Sequence, residues 1–122
     1  MPGHTGLWAT SDEILVKAGE NYDTSISEAR INALCLQAES HINCETNKVW
    51  TAAIFTALNS GVKYLLAEAE SNLVAMYIIN YNPSVFASRV EAETMVDILT
   101  ERYMACMTLL KDINVQTFMV NA

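Results

Sequence analysis

The longest hydrophobic pattern in the chain lies between residues 88 and 113. Apolar or small side chains recur there at intervals of three, four or seven residues, at Ala92, Met95, Leu99, Cys106, Leu109 and Ile113. This spacing places them on one stripe of a helix of about six turns. Almost opposite, Glu93, Asp97 and Glu101 follow one another at intervals of four. Because like charges at this spacing repel, the pattern indicates a helix that is either simply soluble or presents an acidic wall to a partner.

The N-terminal residues predict an arm followed by a short helix. Residues 1–9 have no periodic pattern and are predicted to be irregular, with Trp8 as an anchor where the fold begins. Thr10 and Glu13 form a capping-box pattern, which predicts a short helix from Asp12 to Ala18. Gly19 is placed to end this helix in the left-handed conformation.

A second cap pattern, Ser25 with Glu28, predicts a helix to about residue 43. Its apolar face has helical spacing and comprises Ile31, Leu34, Cys35, Ala38 and Ile42. The polar residues 44–48 are predicted to form a loop, and residues 49–58 to form another helix.

Residues 62–80 predict a helix that is apolar on more than one side. Val74 and Ile78 form a second face beside the main one. Such a helix is usually central in its domain or is covered by a neighbouring subunit. Pro83 then predicts a turn, since proline disfavours helix at the preceding residue and removes a backbone donor.

The last nine residues, 114–122, predict a strand or an extended arm. Val115 and Met119 fall on one face of a strand, and Phe118 and Val120 near the other. Exposed apolar side chains at a free terminus are a liability for a monomer. We therefore expect Val115, Phe118, Met119 and Val120, together with Trp8 in the arm, to make assembly contacts.

The composition fits one all-α domain. A chain of 122 residues with 52% hydrophobic content buries a core of its own, and four Gly and two Pro favour long helices over many short strands. We predict a bundle of about four to five helices over residues 10–113, with a long C-terminal helix and extended terminal arms at residues 1–9 and 114–122. The chain has three Cys, so at least one is unpaired under any disulfide scheme, and we interpret all three as reduced thiols of an intracellular fold.

The net charge of −7 bears on the partners. A protein that grips nucleic acid neutralises phosphates with clustered Lys and Arg, and this chain has no such cluster. An acidic wall repels the phosphate backbone, so it suits a conduit that lets DNA pass. Solubility alone is the commoner reason for an acidic chain. The longest charge-free stretch, residues 71–88, is interrupted by Asn and Pro, and no membrane span is predicted.

The search for catalytic chemistry finds no nucleophile elbow, phosphate loop or dinucleotide-binding turn. His41 and Cys44 supply at most half a metal site, and a structural or surface role for His41 is favoured. Glu68 and Glu70 do not face each other on a helix and are interpreted as solvated charges. We therefore predict neither an enzyme nor a metal or other cofactor.

Arg102 interrupts the apolar stripe of the long helix and has no acid three or four residues away. Its partner is expected on another helix or another subunit, which makes Arg102 a further candidate assembly contact. The alternative is that its stem covers the core while its head reaches water.

Three segments carry a family resemblance. The run KYLLAEAESNLVA at residues 63–75, the Tyr-Asn-Pro turn at residues 81–83 and the run EAETMVDIL at residues 91–99 resemble small head–tail connector proteins of tailed bacteriophages, also called adaptor or head-completion proteins. The resemblance extends over roughly residues 8–113 and consists of helix-packing patterns.

The resemblance implies a structural protein of the virion neck, made in the host cytoplasm. Such a protein forms a ring, commonly a dodecamer, beneath the portal protein. The ring extends the exit channel for double-stranded DNA without binding a particular sequence, and it docks tail or stopper proteins. The acidic wall then becomes a candidate channel lining. The alternative is an intracellular helical bundle that binds a small ligand or a regulatory partner, with Val74 and Ile78 lining a pocket.

Overall fold

The computed structural model describes residues 6–19, 26–81 and 89–121, and these residues form helices without strands. The described helices are α1 (Ser11–Ala18), α2 (Glu28–Thr46), α3 (Ala52–Ala57), α4 (Tyr64–Tyr81), α5 (Arg89–Leu110) and α6 (Ile113–Asn121). The prediction of an all-α helical bundle is confirmed. The described part holds one helix more than predicted, because the C-terminal tail is helical. The predicted turn at Pro83 lies outside the described residues.

The centre of the bundle is α4, which packs against α1, α2 and α5. Its buried side chains surround the helix and are Leu66, Ala67, Ala69, Glu70, Ser71, Asn72, Leu73, Val74, Ala75, Met76, Ile78 and Ile79. Full burial of one aliphatic side chain contributes about 1.5–3 kcal/mol relative to its exposure. The apolar residues on more than one side of this helix are therefore explained by its central position within the bundle.

The capping box of α1 is confirmed. The Thr10 hydroxyl accepts the Glu13 amide at 3.3 Å, and the Glu13 carboxylate accepts the Thr10 amide at 2.9 Å. Gly19 ends the helix with a φ of +84°, as predicted, and its amide donates to the Leu15 carbonyl at 3.1 Å. Its ψ of −176° is extended, so the residue is not in the left-handed helical conformation. This combination of angles is open mainly to glycine.

Replacing Gly19 with alanine should destabilise the protein by about 1–3 kcal/mol. A Cβ at this position would lie 2.9 Å from the Met95 Cε atom, and the positive φ would remain. The measurement is the urea midpoint of unfolding. The control is Gly61→Ala, because Gly61 is exposed and lacks a positive φ. Equal midpoints for the two variants would contradict the assignment of strain to Gly19.

The predicted bounds of α2 need two corrections. The N-cap is Ser27, whose hydroxyl accepts the Arg30 amide at 3.1 Å, whereas the predicted cap, Ser25, lies outside the described residues. The helix also runs on through residues 44–46, which were predicted to be a loop. Thr46 is buried there and donates its hydroxyl to the Ile42 carbonyl at 2.8 Å, and Asn47 ends the helix with a φ of 56°.

The third helix is shorter than residues 49–58. Thr51 caps α3 by accepting the Ile54 amide at 3.2 Å, so the helix begins only after it. Trp50 precedes the cap and is fully buried, with its backbone amide donating to the Asn43 side chain at 3.0 Å. The connection from α2 to α3 is therefore held by side-chain hydrogen bonds to its backbone.

The predicted stripe of α5 is correct in its first part. Ala92, Leu99 and Cys106 are buried and Met95 packs against the core, but Leu109 is exposed and Ile113 belongs to α6. Further buried positions are Tyr103, Met107 and Leu110. Residues repeated at an average interval of 3.5 do not stay on one face of a helix with 3.6 residues per turn, and the row turns gradually around the helix axis. In the C-terminal half of α5 the predicted row has therefore turned away from the core, and the positions next to it are buried instead.

The C-terminal tail is a helix, and the prediction of an extended arm at residues 114–122 is wrong for its described part. The Asp112 carboxylate accepts the Asn114 amide at 2.8 Å, which favours the first turn of α6. The Gln116 side chain donates to the carbonyls of Leu110 and Thr46 at 2.6 and 3.0 Å. These contacts fasten α6 to the ends of α5 and α2.

Candidate functional site

The first candidate surface is the acidic face of α5, defined by Glu93, Asp97 and Glu101. All three residues are exposed, whereas Ala92 and Leu99 on the other side of the helix are buried. Successive members are one helical turn apart, and the row extends about 12 Å along the axis. The structure thus leaves the predicted acidic row on an open side of the bundle.

Beside the acidic face runs a second exposed row, which we call the α5 stripe: Ile98, Arg102, Ala105 and Leu109. Its members are separated by four, three and four residues and are all exposed. The positive charge of Arg102 acts on Glu68 of α4. Arg102 therefore has a charged neighbour on another helix of the same chain, one of the two partner locations that the sequence predicted.

The predicted assembly residues divide into two groups. Phe118 and Val120 are 63% and 48% exposed on α6, as the prediction requires. Met119 and Trp8 are only 2% and 4% exposed and belong to the core of the bundle, and Val115 is partly buried against that core. Phe118 and Val120 are thus accessible candidates for assembly contacts, whereas a partner could reach Trp8 and Met119 only after a rearrangement of the chain.

Ile113 enlarges the exposed apolar surface of α6. Its side chain is 74% exposed. Val120 lies seven residues further on and shares its edge of the helix, whereas Phe118 falls on the opposite edge of the exposed arc. Gln116 and Met119 face the bundle between these edges. The exposed surface of α6 is thus formed by uncharged side chains.

A buried carboxyl pair lies at the heart of the bundle, formed by Glu39 of α2 and Glu70 of α4. Glu39 is 4% exposed and Glu70 is fully buried. The interpretation of Glu70 as a solvated charge is wrong. Residues 6–9, which we call the strap, cover this pair. Within the strap, the Leu7 amide donates to Glu39 at 2.7 Å, and the amides of Trp8 and Ala9 donate to Glu70 at 3.2 and 2.7 Å.

The surroundings of the pair favour a proton on Glu70. Burial raises the pKa of Glu70 to about 10; the hydrogen bond with Glu39 and the charge of that carboxyl act in the same direction, while the strap amides partly oppose them. Two carboxyl groups in hydrogen-bond contact need a proton between them, since two ionised groups both only accept. The surroundings therefore favour the neutral form of Glu70. Burial, followed by the charges of Glu70, Glu39 and Glu28, also raises the pKa of the nearby Cys35 thiol.

The sequence contains a signal for this pair, because each acid stands at helical spacing from buried apolar residues. Glu70 stands four residues from both Leu66 and Val74, and those two side chains are fully buried. Glu39 stands four residues after Cys35, on the buried face of α2. An acid inside an apolar row indicates a buried, partnered group. The identity of the partners required the tertiary fold.

A second polar cluster joins α2 to the end of α5 around Glu45. Its carboxylate accepts from the Tyr103 hydroxyl at 3.0 Å, pairs with the Lys111 ammonium at 3.2 Å, and also contacts His41. Burial alone would raise the pKa of Glu45, but the hydrogen bonds from Tyr103 and Lys111 and the charges of His41 and Lys111 lower it. His41 is thus part of a structural cluster. Across the described ranges, no group of three or more His, Cys, Asp or Glu is placed to hold a metal ion.

A groove of about 500 Å³ lies between α1 and α4. Its lining includes the exposed side chains of Val16 and Tyr64. The Lys17 ammonium crosses the groove to Glu68 at 2.5 Å and to the Ser71 hydroxyl at 2.8 Å. Val74 and Ile78, which were expected to line a pocket, are fully buried in the core and do not line this groove.

Comparisons with protein-family models, curated proteins and solved structures find no match to this chain. Within residues 6–19, 26–81 and 89–121, no helix combines the length and the apolar character needed to span a bilayer.

Proposed function

We propose that this chain is a structural subunit of the neck of a tailed-bacteriophage virion. In this proposal, copies of the chain form a ring beneath the portal protein, extend the DNA exit channel and dock a tail or stopper protein. The observation that carries the proposal is the pairing of two surfaces on one bundle. One is the acidic face of α5, and the other is the exposed apolar surface of the α5 stripe and α6.

The acidic face supports a channel lining through its charge. Glu93, Asp97 and Glu101 would be repeated by every copy around the ring axis. Phosphates that pass such a surface are repelled, so DNA would move through without being held. We assign α5 to the lumen because its acidic side chains repel the phosphates of the passing DNA.

The exposed apolar side chains support contacts between copies. Ile113 and Phe118 on α6, with Ile98 and Leu109 on α5, are each at least 48% exposed. Each large apolar side chain that a neighbour buries contributes about 1.5–3 kcal/mol. A contact between two different surfaces of the same chain closes into a ring when its rotation matches a whole number of copies. The chain thus supplies apolar surface for such a contact beside the face assigned to the channel.

Replacing Phe118 with serine should abolish or shrink the rings, because it removes the largest exposed apolar side chain of α6. The measurement is light scattering coupled to size-exclusion chromatography, with the portal protein of the same source added in a second run. The matched control is Val16→Ser, since Val16 is 80% exposed on α1, away from the proposed contact. Helical content should stay unchanged in both variants.

The result that would contradict the proposal is a particle of one or two chains that ignores the portal. Rings of equal size in Phe118→Ser and in the unmodified protein would instead show that the contact between copies does not depend on Phe118 of α6.

The groove between α1 and α4 favours a second candidate, an intracellular bundle that binds a small ligand or a regulatory partner. Its lining combines the apolar side chains of Val16 and Tyr64 with the Lys17–Glu68 ion pair. A ligand-binding bundle should remain a monomer or dimer at every concentration, and a ligand in the groove should shift the nuclear magnetic resonance signals of these residues.

A further inference from the structure

The strap is fitted closely to the carboxyl pair. A Cβ added to Gly6 would lie 2.7 and 2.8 Å from the two Glu70 oxygens and 2.9 Å from a Glu39 oxygen. The backbone of Gly6 therefore occupies the space directly in front of both carboxyls, where a side chain would not fit. The strap is also turned back on itself, with the Gly6 amide donating to the Ala9 carbonyl at 3.1 Å. With the strap in place, Glu70 is fully buried and Glu39 is 4% exposed.

The strap brings hydrogen-bond donors to the pair and no titratable side chain. The amides of Leu7, Trp8 and Ala9 point at the carboxyl oxygens, and the Trp8 indole donates separately to the Trp50 carbonyl at 3.2 Å. Gly6 to Ala9 contain no acid or base. The covered pair thus has no cation from the strap, and within residues 6–19, 26–81 and 89–121 no ion pair to either carboxyl is found. A proton shared by the two groups relieves the repulsion between Glu39 and Glu70.

The charged groups of the neighbouring helices act elsewhere or add to the repulsion. On α2, the Cys35 thiol is close enough to feel the charges of Glu70, Glu39 and Glu28. On α1, Asp12 and Glu13 are exposed and the Lys17 ammonium is bound to Glu68. On α5, Arg102 and Cys106 interact with Glu68, and Tyr103 donates to Glu45.

We propose that the strap and the carboxyl pair form a proton-linked latch. Docking of the strap over Glu39 and Glu70 holds one proton between the two carboxyls, and release of the strap admits water and lets that proton pass to solvent. Both carboxyls then ionise, and no covalent bond changes. The latch is independent of the proposed ring. A partner that takes up the strap would release a proton on binding.

The latch predicts how strap opening depends on pH. Since the open form loses one proton, its population relative to the docked form should rise about tenfold per pH unit between about pH 6 and pH 9. The measurement is hydrogen exchange of the Leu7, Trp8 and Ala9 amides, corrected for the intrinsic rate at each pH. Their protection should be lower than that of the α4 amides and insensitive to dilute urea, which separates local opening from global unfolding.

Two variants test the proton and the fit separately. In Glu70→Gln, the amide keeps the shape and donates to Glu39, so the strap should stay protected and lose its pH dependence. In Gly6→Ala, the added Cβ should prevent docking, so the strap amides should lose protection while those of α4 keep theirs.

Strap protection that is independent of pH in the unmodified protein would overturn the latch, whether or not the variants fold. An unchanged pH slope in Glu70→Gln would overturn it equally.

Discussion

The free energy of unfolding should rise as the pH falls from about 9 to about 5, by up to about 1.4 kcal/mol per pH unit. The reason is the proton on Glu70, whose pKa in the folded protein is raised to about 10 from an ordinary 4.5. In this window the folded chain holds a proton that the unfolded chain lacks. Its stabilising contribution is complete below the unfolded pKa and is lost as the pH rises through the folded one.

Glu70→Gln isolates this contribution. The variant should match the unmodified protein near pH 5 and exceed its stability at pH 8, because glutamine keeps the hydrogen bonds without needing a proton. The measurement is urea unfolding at a series of pH values, with the difference between the two proteins plotted against pH. A difference that stays constant from about pH 6 to about pH 9 would mean that Glu70 is ionised in the folded state.

Two other carboxyls should produce the opposite slope at lower pH. Burial alone would raise the pKa values of Glu45 and Glu68, but the hydrogen bonds and charges around them lower both. Their stabilising contributions are present above the unfolded pKa and are lost as the pH falls through the lowered folded values. Stability should therefore pass through a maximum near the ordinary carboxyl pKa and decline in stronger acid.

Replacing Trp50 with alanine should cost about 3–5 kcal/mol of folding free energy. The Trp50 side chain is fully buried, its indole donates to the Thr46 hydroxyl at 3.2 Å, and its carbonyl accepts the Trp8 indole at 3.2 Å. Loss of the ring would leave a cavity where the strap, α2 and the start of α3 meet. The measurement is urea unfolding at fixed pH.

Trp50→Phe is the matched control for this prediction. Phenylalanine keeps most of the apolar volume and loses the indole donor, so the cost should be smaller, about 1–2 kcal/mol. An alanine variant within about 1 kcal/mol of the unmodified protein would show that the site collapses around the change, contrary to the packing described for Trp50.

The sequence predicted those parts of the fold that local patterns determine. The α1 capping box involves residues three apart, and the apolar residues on more than one side of α4 indicated a helix that is either central or covered by a neighbouring subunit; the structure shows the first. The acidic face of α5 likewise depends on a simple interval of four. These features need no knowledge of distant contacts.

The features that sequence analysis missed depend on distant contacts. The Trp8 amide of the strap donates to Glu70, which lies 62 residues further along the chain, so no local pattern links the two. The helix α6 contacts α2 through Gln116, whose side chain donates to the Thr46 carbonyl across 70 residues. Alternation of Val115, Thr117 and Met119 suggested a strand, whereas the burial of Gln116 and Met119, three residues apart, follows a helix.

The most direct test of the proposed function is electron microscopy of the protein mixed with the portal protein of the same source. We expect a closed ring beneath the portal, with α5 nearest the axis and Glu93, Asp97 and Glu101 facing the lumen. A ring with these acids pointing outward would contradict the channel assignment. A small particle that never joins the portal would contradict the neck function itself.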